Sequence, residues 1–276
     1  MKKALSAFLF FIALQQTVTA QYYYKDLISS RQARMDMAAY KAASIRLINI
    51  NSFESDGQAT EDFFCQKKIT KDYTSATLYT KTSLNGSSTM QSFFDGQGRL
   101  VKTHDSARIA SSHISYQYDP AGRLIKIVSQ SNSVDDDYVN SITEEHLYVY
   151  QRDSLPLKMI RVRNGKDSTV ILFSLDENRQ IAIEKDTKTG AKYYYYYDAE
   201  HRLTDIVHTN EYKQKLIADY LFEYGDNGQI SQMTTTEEGD NNYTIWKYRY
   251  EKDLRVEERL FSKDHVLLGR IEYEYK

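Results

Sequence analysis

Cysteine, proline and blocks of basic charge are scarce in this sequence, and each scarcity removes a class of protein. Cys65 is the only cysteine, so neither a disulfide framework nor a cysteine-based zinc site can form within one chain. Its neighbours Phe63, Phe64 and Gln66 match no nucleophile motif, which makes it a buried thiol rather than a catalytic one. No run of Lys or Arg suits a phosphate backbone, so nucleic acid is not an expected partner. The apolar run from Ala4 to Leu14 is too short to span a bilayer as a helix, and no later run is longer. The six histidines, His104, His113, His146, His201, His208 and His265, form no HExxH and no helical i, i+4 pair for zinc. A GxSxG elbow, a Walker loop and a dinucleotide glycine fingerprint are missing as well. The expectation is a non-enzyme with no catalytic residue, no cofactor and no metal.

What is present begins with an address. Met1-Lys2-Lys3, the apolar run and Val18-Thr19-Ala20 follow the order of a secretory signal peptide over residues 1–20, with the mature chain starting at Gln21. Loss of Lys2 and Lys3 takes the formal charge from -2 to -4. No cysteine follows the cleavage site to carry a lipid. The predicted setting is extracytoplasmic and bacterial: periplasm, cell surface or secreted. Twenty-four tyrosines and eleven phenylalanines against two prolines, with many Thr, Ser, Asp and Asn, describe strands and polar turns.

Residues 21–90 read as an N-terminal helix plus an irregular β region. Within 24–43, Ile28, Met35, Ala39 and Ala42 recur near the helical period, and Ser29 with Gln32 has the spacing of a capping box. The apolar stripe is small, which suits packing on the edge or end of a sheet. Ile45 and Leu47 open a first strand, Asp56-Gly57 is a turn, and Tyr73 to Thr82 pairs with Thr89 to Phe94 across Asn85-Gly86.

Residues 91–276 repeat. The best copy is YQYDPAGRLIKIV, Tyr116 to Val128, one β-hairpin in which Asp119-Pro120-Ala121-Gly122 supplies the turn. With Gly122 left-handed, Tyr118 stands opposite Leu124 and Asp119 opposite Arg123. Aligned on the residue before each turn, the anchors are Phe94, Tyr118, Tyr150, Leu175, Tyr197, Tyr224, Tyr250 and Tyr275, at intervals of 24, 32, 25, 22, 27, 26 and 25 residues. Two residues earlier stand Ser92, Tyr116, Tyr148, Phe173, Tyr195, Phe222, Tyr248 and Tyr273, seven of the eight aromatic. A period in the twenties marks a stack of supersecondary units. The predicted fold is therefore all-β: an antiparallel meander of hairpins forming an extended, twisted or spiralling sheet, with one N-terminal helix. The longest interval holds Val134-Asp135-Asp136-Asp137, read as an expanded, solvated loop because EF-type calcium spacing is lacking.

The Y-D-x-x-G-R-L pattern, full at Tyr118 to Leu124 and partial at Tyr197-Asp198 through Arg202-Leu203, resembles the YD repeats of Rhs-type and teneurin-type surface proteins. The resemblance covers about two thirds of the chain, from Phe94 onward. It implies hairpins joined edge to edge into a spiralling sheet in an extracytoplasmic setting, and it brings no catalytic residue. Gly-Arg-Leu follows the turn only at Gly98 and Gly122, the copy at Tyr150 has Leu155-Pro156, and the array is short and carries no toxin region after it.

Tyr116, Tyr118, Tyr148, Tyr150, Tyr195, Tyr197, Phe222, Tyr224, Tyr248 and Tyr250 are the candidate ligand-facing aromatics. As a ladder they could stack sugars; as cross-strand packing units they would hold the sheet together, and packing is the favoured reading. The pairs Glu144-Glu145, Glu237-Glu238 and Glu257-Glu258 put adjacent carboxylates on opposite faces and read as solvated edges. The leading functional reading is a binding or scaffolding surface at the cell envelope, its partner unidentified, a protein or a glycan. The second is a carbohydrate-active enzyme or glycan-binding protein. The third is an outer-membrane β-barrel, against which stand interrupted faces such as Leu124, Lys126, Val128 and Ile230, Gln232, Thr234.

Overall fold

The structure, a computed structural model, describes residues 22–135, 138–151, 155–210, 215–236 and 242–276. The signal peptide, Asp136-Asp137 and Glu237-Glu238 lie outside the described residues. One helix, α1 (Tyr24–Ala42), precedes eighteen strands. Those before the repeats are β1 (Leu47–Glu54), β2 (Phe64–Ile69), β3 (Ser75–Thr82) and β4 (Gly86–Phe94). Next come β5 (Leu100–Ala107), β6 (Ala110–Tyr118), β7 (Leu124–Asp135), β8 (Tyr138–Val149), β9 (Lys158–Arg163), β10 (Asp167–Leu175) and β11 (Ile181–Asp186). The ring ends with β12 (Lys192–Tyr197), β13 (Leu203–Asn210), β14 (Lys215–Tyr224), β15 (Ile230–Thr236), β16 (Tyr243–Glu251), β17 (Leu254–Ser262) and β18 (Leu267–Tyr275).

Every strand pairs antiparallel with its sequence neighbours, and β18 returns to pair with β1 from Ile48↔Tyr275 to Glu54↔Gly269. The sheet is thus a closed 18-stranded barrel, which corrects the open, twisted or spiralling sheet expected from the repeats. Closure pairs the two edges that an open meander would leave with exposed N–H and C=O groups. The repeat period reports neighbour pairing alone and is the same for a meander and a ring. The acidic run is corrected likewise: β7 and β8 extend to Asp135↔Tyr138, so the long interval is two 12-residue strands rather than an expanded loop.

The turns show why the repeat has its sequence. Gly122 has φ 82°, and the register shifts between Gln117 and Tyr118, so the turn ends in a bulge with Tyr118 opposite Leu124. The Asp119 carboxylate accepts the Arg123 N–H at 2.9 Å and its Nε–H at 2.7 Å; Asp95 with Arg99 and Asp198 with Arg202 repeat the lock. Each arginine then lies over the anchor tyrosine of the next copy, Arg99 on Tyr118, Arg123 on Tyr150 and Arg202 on Tyr224, at 4.8, 4.7 and 4.6 Å. That tyrosine donates its hydroxyl to the first carbonyl of the preceding odd strand: Tyr118 to Leu100, Tyr150 to Leu124, Tyr197 to Ile181 and Tyr224 to Leu203. Each hydroxyl bond contributes roughly 1 kcal/mol and each stacked guanidinium a further ~0.5–1 kcal/mol. His201 holds the left-handed position at φ 64° and its Nδ1 lies 3.0 Å from Gln180 Oε1, which is how this copy dispenses with glycine.

The bulges also change which residues share a face. Tyr118↔Leu124 and Tyr116↔Ile127 face inward while Gln117↔Lys126 faces out, so Leu124 does not share a face with Lys126 and Val128. Ile230 parts from Gln232 and Thr234 in the same way. With the register corrected, the inward positions at these two turns, Tyr118, Leu124, Tyr224 and Ile230, are apolar and aromatic. The outer wall carries Asn49, Lys102, Gln117, Lys126, Lys247, Arg249 and Arg259, with Lys126 bridging to Glu145 at 2.8 Å.

Helix α1 does not lie on an edge or end of the sheet. It crosses the lumen: its first residues, Tyr23 and Tyr24, are buried with β7 to β13, and Met37 is buried with β1 to β5 and β15 to β18. Nineteen residues at 1.5 Å each reach about 28 Å. The helix begins at Tyr24 and has no side-chain cap, so Ser29 and Gln32 lie inside it rather than forming a capping box. It ends in a Schellman arrangement, Ile45 N–H to Tyr40 O at 2.9 Å and Ser44 N–H to Lys41 O at 3.2 Å, with Ser44 left-handed at φ 58°.

Candidate ligand site in the lumen

An 18-stranded ring is wider than its side chains can fill, and one helix does not fill the remainder. A cavity of about 1050 Å³ remains between the wall and the α1 face formed by Lys25, Ser29, Gln32, Asp36 and Tyr40. Its apolar lining includes Leu78, Met90, Ile114, Ile127, Phe222 and Met233. Its polar lining is concentrated on β7 to β11, where Ser129, Ser131, Glu144, His146, Arg161 and Asp186 face inward.

The N-terminal end of α1 is pinned by buried polar groups. The Glu184 carboxylate accepts the backbone N–H of Tyr23 at 2.8 Å and of Tyr24 at 2.9 Å, and the Tyr195 hydroxyl at 2.9 Å. A carboxylate there complements the positive end of the helix dipole. Burial pushes Glu184 up to about 7, with the two N–H donors and Tyr195 holding it down. Asp26 sits 2.6 Å from His146 Nδ1 and accepts the Tyr148 hydroxyl at 2.7 Å, while Glu144 sits 2.9 Å from His146 Nε2. Burial alone would lower His146, but the two carboxylates raise it to about 9. Arg161 donates to Tyr23 Oη at 2.7 Å.

All ten candidate aromatics are placed by this geometry. Tyr116, Phe222 and Tyr248 line the cavity, and Tyr148 and Tyr195 lie under the start of the helix. Tyr118, Tyr150, Tyr197 and Tyr224 clasp backbone carbonyls, and Tyr250 accepts Arg255 Nε–H at 3.3 Å. The pairs Glu144-Glu145 and Glu257-Glu258 do split between faces, but their inner members are not solvated edges. Glu144 meets His146, and Glu258 is buried between Arg255 and the Tyr273 hydroxyl at 2.9 and 2.6 Å. Outside, Glu145 pairs with Lys126 and Glu257 with Arg259.

Sequence reasoning did not single out Asp26, His146, Arg161 or Glu184. A signal was available in α1, which is polar on nearly all sides, with exposed Ser29, Arg31, Gln32 and Arg34; such a helix suits a bridging position rather than a core face. Cys65 is buried, with Sγ 3.4 Å from the Thr80 hydroxyl. Among the described residues no helix is long and apolar enough to cross a membrane, and no three of His, Cys, Asp and Glu converge into a metal-holding group.

No family model matches the chain, and no curated protein matches it. Similar solved structures include TcdB2-TccC3-Cdc42, at 10% identity and TM-score 0.27, covering 86% of this chain and 17% of that one. They also include porin-like proteins from Bacteroides uniformis and Bacteroides vulgatus. The first has 10% identity, TM-score 0.32 and coverage of 84% and 98%; the second has 10% identity, TM-score 0.35 and coverage of 83% and 97%. At these scores the likenesses carry no argument about function.

Proposed function

We propose that the protein is an extracytoplasmic β-barrel that binds a small molecule in its lumen without catalysis, and that its hairpins are kin to YD repeats. The observation carrying this reading is the lumen itself, a cavity of about 1050 Å³ crossed by a helix whose anchors use the nearby carboxylates. That size lies at the upper end of the ~300–1,000 Å³ common for ligand pockets. The YD kinship is supported by the Y-D-x-x-G-R-L pattern and by the Asp–Arg lock and tyrosine clasp that recur from copy to copy in this chain, and the extracytoplasmic setting by the signal-peptide pattern of residues 1–20. Purified folded protein is expected to retain a small molecule detectable by native mass spectrometry, or to bind an added apolar probe with displacement by lumen-filling variants such as Ile127→Trp. Turnover of a polysaccharide that is lost on Glu144→Gln or Asp186→Asn would replace this reading with the enzyme.

A second reading, an outer-membrane barrel, is favoured by ring closure and by exposed, outward-facing Leu172, Tyr196 and Leu221. It places Lys126, Lys247, Arg249 and Arg259 toward lipid, where a mid-depth cation costs roughly 2–4 kcal/mol. That charge leads us to the aqueous barrel. Recovery in the soluble fraction after lysis supports it, and recovery in outer membranes supports the second.

A further inference from the structure

We propose that the lumen is selective for an amphipathic anion, an aliphatic chain ending in a carboxylate, with the head on Lys25, Arg161 and Arg163 and the tail along Ile114, Ile127 and Met233. The inference rests on the lumen-binding reading and names its ligand class. Arg161 and Arg163 lie two apart on β9 and so face the same side, and Lys25 approaches from the cavity-facing side of α1. Among the described residues none of the three forms an ion pair, and Asp26 and Glu144 pair with His146 instead. Arg161 spends Nη1 on Tyr23 and Nη2 on Thr169, leaving its Nε–H buried without a partner.

Those acids are in the opposite condition. Asp26 serves His146 and Tyr148, Glu144 serves His146, and Glu184 serves two backbone N–H groups and Tyr195. Asp186 accepts the N–H groups of Lys188 and Thr189 at 2.7 and 2.9 Å. Spare hydrogen-bonding capacity is therefore on the donor side. A carboxylate head would meet the lumen-facing Lys25 ammonium and Arg163 guanidinium, neither of which has an ion-pair partner among the described residues, with charge-assisted bonds. Counted formally, Lys25, Arg161, Arg163 and protonated His146 balance Asp26, Glu144, Asp186 and Glu184. Burial acts on both signs, raising Glu184 and lowering Lys25, so the head-group preference rests on the unpaired cations rather than on a net charge.

The tail follows from the rest of the lining. Leu78, Met90, Ile114, Ile127 and Met233 offer aliphatic surface.

The test is titration of the full mature chain at pH 7.5 with dodecanoate and with dodecanol, read by calorimetry. Dodecanoate is expected to bind at least about tenfold tighter, a difference of one charge-assisted contact. Arg163→Gln, and separately Lys25→Gln, should shrink that ratio toward unity while dodecanol binding persists; neither side chain holds the helix, so folding is retained. Equal affinity for the two probes in the native protein overturns the anionic head and leaves the lumen reading intact. A preference that survives both substitutions overturns the assignment of the head to these residues. Failure of both probes to bind the folded protein overturns the lumen reading together with this proposal.

Discussion

The two ends of α1 are held by opposite chemistry. At its start, Glu184 holds the N–H groups of Tyr23 and Tyr24, and His146 and Tyr148 hold the Asp26 carboxylate. At its end, Met37 is only 5% exposed among Ile48, Ile50, Ile69 and Leu78, Tyr40 packs 6.3 Å from Tyr275, and the Lys67 ammonium lies 5.5 Å over the Tyr40 ring. A polar anchor is directional and titrates; an apolar one is neither. The difference suggests a strut fixed in register at one end and merely seated at the other, a geometry suited to a lumen whose polar sector must keep its shape.

Substitutions at the two ends should separate these roles. The largest effect is expected for Glu184→Ala, which strips the acceptor from two backbone N–H groups and the Tyr195 hydroxyl and should cost roughly 3–4 kcal/mol in urea unfolding. Raising the pH should weaken the same end. His146 is raised from 6.5 to about 9, so its stabilisation is fully present below pH 6.5 and lost as pH rises through 9. Glu184, raised from 4.5 to about 7, acts in the same direction over its own lower window, favouring the fold most below pH 4.5. Between pH 6 and 9.5 the protein should lose roughly 2–3 kcal/mol, and His146→Gln should flatten most of that slope.

Met37→Ala should cost about 2 kcal/mol, equally at pH 6 and pH 9.5, because a cavity among aliphatic groups does not titrate. The smallest effects come from a matched pair. Tyr148→Phe removes a hydroxyl bonded to Asp26 and to the Tyr23 carbonyl and should cost about 1–1.5 kcal/mol. Tyr40→Phe, whose hydroxyl has no hydrogen bond among the described residues, should cost under about 0.5 kcal/mol. Equal costs for the two tyrosines would erase the contrast between the ends.

Much of the strand architecture was readable because its causes are local. Asp119, Gly122 and the pairing of Tyr118 with Leu124 follow from turn chemistry within a few residues, and the structure realises them. Ring closure was not readable, since it joins Ile48 to Tyr275 with no pattern linking them. The face assignment at Leu124 and Ile230 failed for a subtler reason: each bulge inserts a residue and shifts the period of two that strand patterns assume. The tyrosine ladder was visible as a series, and its division into lumen residues and carbonyl clasps required the neighbouring strand. The helix anchor was the least legible part. Glu184 and His146 sit 160 and 120 residues from the helix groups they hold, and nothing near either in sequence marks it as a partner.

The central claim is a closed barrel, and its seam can be locked directly. Asn49 and Glu274 are register partners on the outer side of β1 and β18, with Asn49 Nδ2 3.4 Å from Glu274 Oε2. In a Cys65→Ser background, Asn49→Cys with Glu274→Cys should form an intramolecular disulfide in near-quantitative yield under mild oxidation of the folded protein. Two thiols that remain freely alkylated in the folded monomer would contradict the closed ring.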